Sequence, residues 1–138
     1  MGFEVFEKGS APVSTVPSVT IQKRGLFSLN DAAYRMLSEP SFVEFLWDPE
    51  ERLIGLRGTD ETNLNGYPAR RQNSRKGTGP VLIAGSMFSK FIGIDTTHAR
   101  RWTPRLHESM LIIDLKDEGN LVISNRERAK GADSKSQS

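Results

Sequence analysis

The sequence predicts an α+β fold that is mostly β, made of two βαββ-type halves. Three observations carry this. Apolar runs are short and are separated by clusters of Gly, Pro, Asn and Asp, as strands and turns require. Two brief stretches have helical spacing instead. The order strand, short helix, hairpin occurs twice along the chain.

Val19-Thr20-Ile21-Gln22 alternates apolar and polar residues, the mark of a half-buried strand. Gly25 interrupts it, and Leu26 to Leu29 is a second short strand. Asn30 is placed to cap a helix over Asp31 to Leu37, with Asp31 favourable in its first turn. Ala33, Met36 and Leu37 give that helix one apolar face. Ser38-Glu39-Pro40 ends it, because a residue before proline avoids the helical region. Phe42 to Trp47, a turn at Asp48–Arg52 and Leu53 to Leu56 form a hairpin. Tyr67 to Gln72 is a candidate strand, followed by a Gly-rich basic loop over Asn73–Pro80. Val81 to Ile83 is a strand and Ser86 to Ile92 a helix, with Gly93 suited to its left-handed end. Residues 95–109 show no clear pattern. Met110 to Leu115 and Leu121 to Ser124 are expected to pair as a second hairpin.

The two halves are expected at residues 18–58 and 80–125, joined by a basic loop over 59–79. An offset of 55 places Asp31 on Ser86 and Leu37 on Ile92. The hairpins align separately, with Asp48 on Asp117. A single βαββ unit is too small to bury a core, so the halves are expected to pack as one domain. Residues 1–17 read as an extended arm with an edge strand at Phe3–Phe6. Residues 126–138 are polar and read as a disordered tail.

Composition narrows the function. The chain has 138 residues and no cysteine, so disulfides, thiol nucleophiles and cysteine metal sites are excluded. No apolar run approaches the roughly 18–20 residues that a membrane helix needs. The first ten residues carry acids where a secretory signal carries bases. A cytoplasmic protein without a membrane partner is the expectation. The net charge of +2 hides a strong asymmetry. Residues 39–61 hold 2 basic and 7 acidic side chains, and residues 62–105 hold 8 basic and 1 acidic. The second block is charged to attract a polyanion.

Arg70, Arg71, Arg75 and Lys76 fall within seven residues beside Tyr67. Arginine's planar fork suits phosphate, and Tyr67 offers a ring on which a base can stack. A solvated loop is the plain alternative. Arg100, Arg101, Trp102 and Arg105 form a second basic-aromatic group. There the plain alternative is that Trp102 lies in the core and the arginines pair with acids of 39–61. Lys76-Gly77-Thr78-Gly79-Pro80 has the wrong order for a phosphate-binding P-loop. His98 and His107 lack metal-ligand spacing, and no carboxylate pair sits in an acid–base context. No cofactor, metal or catalytic residue is expected, and the chain reads as a non-enzyme.

The segment from Val19 to Arg57 resembles the AbrB/MazE/MraZ-type swapped-hairpin family. The matching pieces are Val19-Thr20-Ile21, the basic turn Lys23-Arg24-Gly25, Leu26-Phe27-Ser28-Leu29, the helix, and Ile54-Gly55-Leu56-Arg57. Asn30 stands where the family commonly has proline. The resemblance implies a small swapped-hairpin-like barrel and a DNA-binding role, with Lys23, Arg24 and more loosely Arg35 as contacts. The second half of the barrel would come from the internal copy or from a homodimer.

The leading expectation is therefore a DNA-binding transcriptional regulator, nucleoid-associated, with double-stranded DNA as partner. One alternative is a single-stranded DNA or RNA binder reading bases with Tyr67 and Trp102. Another is an antitoxin-like protein-interaction module whose working face is the acidic segment 39–61.

Overall fold

A computed structural model gives the fold over residues 16–122. The expected strand at Phe3–Phe6 and the tail at 126–138 lie outside the described residues. Among the described residues, eleven strands and two helices follow in the order β1 (Val19–Ile21), β2 (Phe27–Leu29), α1 (Asp31–Met36), β3 (Phe42–Asp48), β4 (Leu53–Thr59), β5 (Tyr67–Pro68), β6 (Arg70–Asn73), β7 (Thr78–Ile83), α2 (Ser86–Ile92), β8 (Arg100–Trp102), β9 (Arg105–His107), β10 (Met110–Asp114) and β11 (Asn120–Leu121). They form two antiparallel sheets. One has the order β11-β8-β1-β2-β7-β6 and the other β5-β3-β4-β10-β9. The mostly-β α+β class is as expected.

The local signals explain most elements. Asn30 caps α1 by accepting from the Ala33 amide at 2.9 Å, and it also accepts from the Ser18 amide at 3.0 Å. Ala33 and Leu37 are buried, and Met36 packs against the core's edge. Gly93 ends α2 in the left-handed region. Asp48 holds the β3–β4 turn by accepting from the Glu50 and Glu51 amides, both at 3.1 Å.

One core joins the two sheets. Val19, Ile21, Phe27 and Leu29 enter it from the first, and Ile54, Leu56, Leu111 and Ile113 from the second. Along these strands core residues alternate with residues of the opposite face, and that face is itself buried at Ser28, Gly55 and Ile112.

The expected second hairpin is wrong. β10 does not pair with β11; it pairs with β4 on one side and β9 on the other. β11 pairs with β8 in the other sheet. The reason is apolar density: Leu111, Ile112 and Ile113 are all buried, which suits a central strand with two neighbours. The partner of β10 in a tight hairpin is β9, joined through Glu108 and Ser109 at φ +49° and +64°. Those two angles are what a two-residue type I′ turn needs. The expected linker at 59–79 is likewise corrected. Its second part is a β6–β7 hairpin, so the basic loop shrinks to the turn at residues 74–77.

A symmetry of strand order follows. In one sheet four consecutive strands run β1-β2-β7-β6, and in the other β3-β4-β10-β9. Exchanging β1 with β6, β2 with β7, β3 with β9 and β4 with β10 leaves both orders unchanged. The helices correspond as well, since each follows directly on β2 or β7 and starts 55 residues apart.

The loop after β4 is tied to the second sheet through Glu44. Its carboxylate accepts from Asn63 Nδ2 at 2.8 Å and from Arg57 Nε at 2.7 Å. The Asn63 hydrogen bond first, and then Arg57, holds its carboxyl below the usual value of 4.5. A depressed folded-state pKa adds stability that is present above the unfolded value and is lost as pH falls through the folded one. Glu44→Gln is expected to lower stability at neutral pH and to flatten its fall below about pH 4.5. Urea midpoints measured from neutral to acid pH check this.

Candidate functional site

The outer face of the six-stranded sheet is built by register. Asn120 lies opposite Arg101, Arg101 opposite Thr20, Thr20 opposite Ser28, Ser28 opposite Leu82, and Leu82 opposite Arg70. Partners across an antiparallel pair share a face. These six residues therefore form one row across all six strands, on the face away from the core. Its middle is small and polar at Thr20 and Ser28, and an arginine stands toward each end. Arg101 Nε donates to Thr20 Oγ1 at 3.3 Å, which lays its side chain along the row. Beside it lies a shallow cavity of about 420 Å³ lined by Thr20, Gln22, Lys23, Ser28 and Arg101, among others.

Two turns project from this sheet. Between β1 and β2, the Gly25 amide donates to the Gln22 carbonyl at 2.8 Å, and Gly25 takes φ +83°. A type I turn closed by a left-handed glycine carries Lys23 and Arg24 as exposed residues. Ser89 of α2 donates to the Gly25 carbonyl at 2.9 Å, a buried bond that seats the turn on the helix. Between β6 and β7, Arg75 and Lys76 are exposed and precede Gly77 at φ +61°. Asn73 Oδ1 accepts from the Lys76 amide at 3.2 Å.

Charge separates between the sheets. Among the described residues, the strands of the six-stranded sheet contain Arg70, Arg71, Arg100 and Arg101 and no acid. Those of the five-stranded sheet contain Glu44, Asp48 and Asp114 beside Arg57 and Arg105. The acidic segment 39–61 forms the β3–β4 hairpin, away from the basic face.

The expected residues fall into four groups. Lys23, Arg24, Arg70, Arg75, Lys76 and Arg101 belong to the basic sheet face or its turns. Arg71 and Arg100 are turned to other partners. Arg71 pairs with Asp31, donates to the Gly79 carbonyl at 3.0 Å and lies 5.1 Å over the Tyr34 ring. Arg100 Nη1 donates to the Glu118 carbonyl at 3.2 Å. Arg35 is exposed on the last turn of α1, outside the row. Trp102 and Tyr67 are not presented as stacking platforms. Trp102 is only 5% exposed, and its Nε1 donates to the Asp117 carbonyl at 2.8 Å. Its large apolar ring fills the core under β1. Tyr67 packs edge-on to Phe45, with ring centres 5.0 Å apart.

Thr20, Ser28, Leu82 and Asn120 were not visible as site residues in the sequence. The alternation of β1 and β2 marks Thr20 and Ser28 as outward, but only the pairing of β1 with β8 and β2 with β7 aligns them. One further feature was missed. Met87 and Phe91, one turn apart on α2, are 74% and 78% exposed.

No family model, curated protein or solved structure matches the chain.

The basic turn at Lys23–Arg24 depends on Gly25. A Cβ there would lie 2.9 Å from Ser89 Cβ, at a backbone angle that L side chains avoid. Gly25→Ala is expected to destabilise the protein by more than about 1 kcal/mol. Denaturant unfolding checks this.

Proposed function

We propose that the protein binds double-stranded DNA without catalysing a reaction on it, as a transcriptional regulator does. The observation that carries the reading is the outer face of the six-stranded sheet, whose strands bear no acid among the described residues. Its cross-strand row has small residues at the centre, arginine toward each end and a basic turn at each of two corners. Arginine and lysine supply phosphate contacts, which set affinity and register. Asn120 and half-buried Thr20 can hydrogen-bond base edges. A rigid sheet holds these groups in fixed relation. The hairpin, helix, hairpin order of residues 19–59 supports assignment to the swapped-hairpin family, with the second half of the barrel supplied by residues 70–114. On this reading the chain resides with DNA in the cytoplasm.

Single-stranded recognition loses its support, because both aromatic rings it needs are packed against other side chains. A protein-interaction role has one specific observation in its favour, the exposed Met87 and Phe91 on α2. It becomes the better reading if the protein is not retained by duplex DNA even at about 50 mM salt, where phosphate contacts are strong.

The test is the salt dependence of duplex binding. Replacing Arg70, Arg75 and Lys76 by alanine is expected to weaken binding and to lower the log–log salt slope by about 0.9 for each phosphate no longer neutralised. Arg71→Ala is expected to lower stability and leave the slope unchanged, because its guanidinium is engaged with Asp31. A slope unaffected by the triple variant overturns the assignment of this face.

A further inference from the structure

We infer that one chain carries both halves of a two-fold reader, so that a monomer takes duplex DNA arranged as an inverted repeat with half-sites about one helical turn apart. The inference rests on the DNA reading above and adds a symmetry, a spacing and a stoichiometry to it.

The strand order is the first ground. Exchanging the two halves leaves β1-β2-β7-β6 and β3-β4-β10-β9 unchanged, as a two-fold relation between halves requires. The axis passes through the β2–β7 pair, whose strands run antiparallel, with Phe27 opposite Ile83 and Leu29 opposite Val81. DNA-binding dimers match the two-fold of an operator with their own two-fold. Here the relation lies within one chain.

The second ground is a pair of turns that the exchange relates by their place in the strand order. Lys23-Arg24-Gly25 joins β1 to β2, and Arg75-Lys76-Gly77 joins β6 to β7. Each is basic, basic, glycine, and each glycine has positive φ, +83° and +61°. Each turn leads into the strand that precedes a helix. No sequence repeat aligned at offset 55 shows this, because the turns lie 52 residues apart.

Spacing is the third ground. β2 and β7 are antiparallel, so their leading turns sit at opposite ends of the sheet. Roughly ten residue steps separate the turn tips along the strands, which at about 3.3 Å per step is on the order of 30 Å. That is close to the roughly 34 Å repeat of the duplex. Two turns so placed can meet equivalent positions in successive grooves on one face of the DNA.

The halves are not identical. Gly25 is seated against Ser89, whereas nothing lies within 4 Å of a Cβ at Gly77. The first turn is therefore held more rigidly, and its half-site is expected to be the more strictly defined.

The experiment selects bound sequences from a duplex pool with a randomised stretch of about three helical turns, using the full chain. The mass of the complex is then measured. The expected result is an inverted repeat with half-site centres about 10 base pairs apart and one chain per duplex. Replacing Lys23 and Arg24 by glutamine should erase one half-site, and replacing Arg75 and Lys76 should erase the other. Each pair should lower the salt slope by about 2. Two chains per duplex, a selected site without a repeat, or one pair without effect overturns this inference and leaves DNA binding standing. Failure of the wild-type chain to bind any duplex at low salt overturns both.

Discussion

A hairpin alone leaves one apolar face in water and two rows of backbone donors and acceptors without partners. This chain meets that constraint by pairing across its halves. β2 finds its missing neighbour in β7, and β4 finds its own in β10. The β3–β4 and β9–β10 hairpins are thus joined edge to edge, as are β1–β2 and β6–β7. Both seams bring core residues together: Phe27 and Leu29 with Ile83 and Val81, Ile54 and Leu56 with Ile113 and Leu111. α1 carries the first half from one sheet to the other, whereas after α2 the chain adds β8 to the six-stranded sheet before β9 enters the five-stranded one.

The surface follows from the same seams. Pairing β2 with β7 puts the basic block at 70–76 in the same sheet as the basic turn at Lys23–Arg24, with their two turns at its opposite ends, although some 50 residues separate them in sequence. Pairing β1 with β8 adds Arg101 on the same face. The acidic β3–β4 hairpin is drawn into the other sheet because β4 must lie beside β10. A chain with a net charge of +2 thereby acquires one sheet whose strands bear bases and no acids among the described residues. The DNA contact proposed above rests on this local charge and not on the overall one.

Sequence reasoning succeeded where one side chain's geometry decides the backbone. Asn30 can cap, Gly93 can turn left-handed, Pro49 can start a turn after Asp48, and each does so. It failed where a strand's partner is chosen by tertiary packing. Leu111-Ile112-Ile113 is recognisable as a strand, but nothing local says that β4 rather than β11 lies beside it. The β9–β10 turn was hidden because Glu108 and Ser109 lack the Asn-Gly signature of such turns. The site residues divide the same way. Lys23, Arg24, Arg75 and Lys76 stand in turns whose exposure can be read from sequence. Trp102 and Arg71 sit among equally basic neighbours and yet face inward.

What the sequence by itself determined is the set of parts: short alternating strands, two capped helices, basic turns closed by glycine, and opposed charge blocks. These depend on period, caps and backbone freedom, which are properties of a few adjacent residues. The tertiary structure alone decided which strand edges meet, and through that which side chains share a face. Strand pairing costs chain entropy and is offset only when apolar faces close over a common core, so it depends on the whole chain at once. That long-range choice aligned Arg101, Thr20, Ser28, Leu82 and Arg70 into a single row and turned Trp102 into the core.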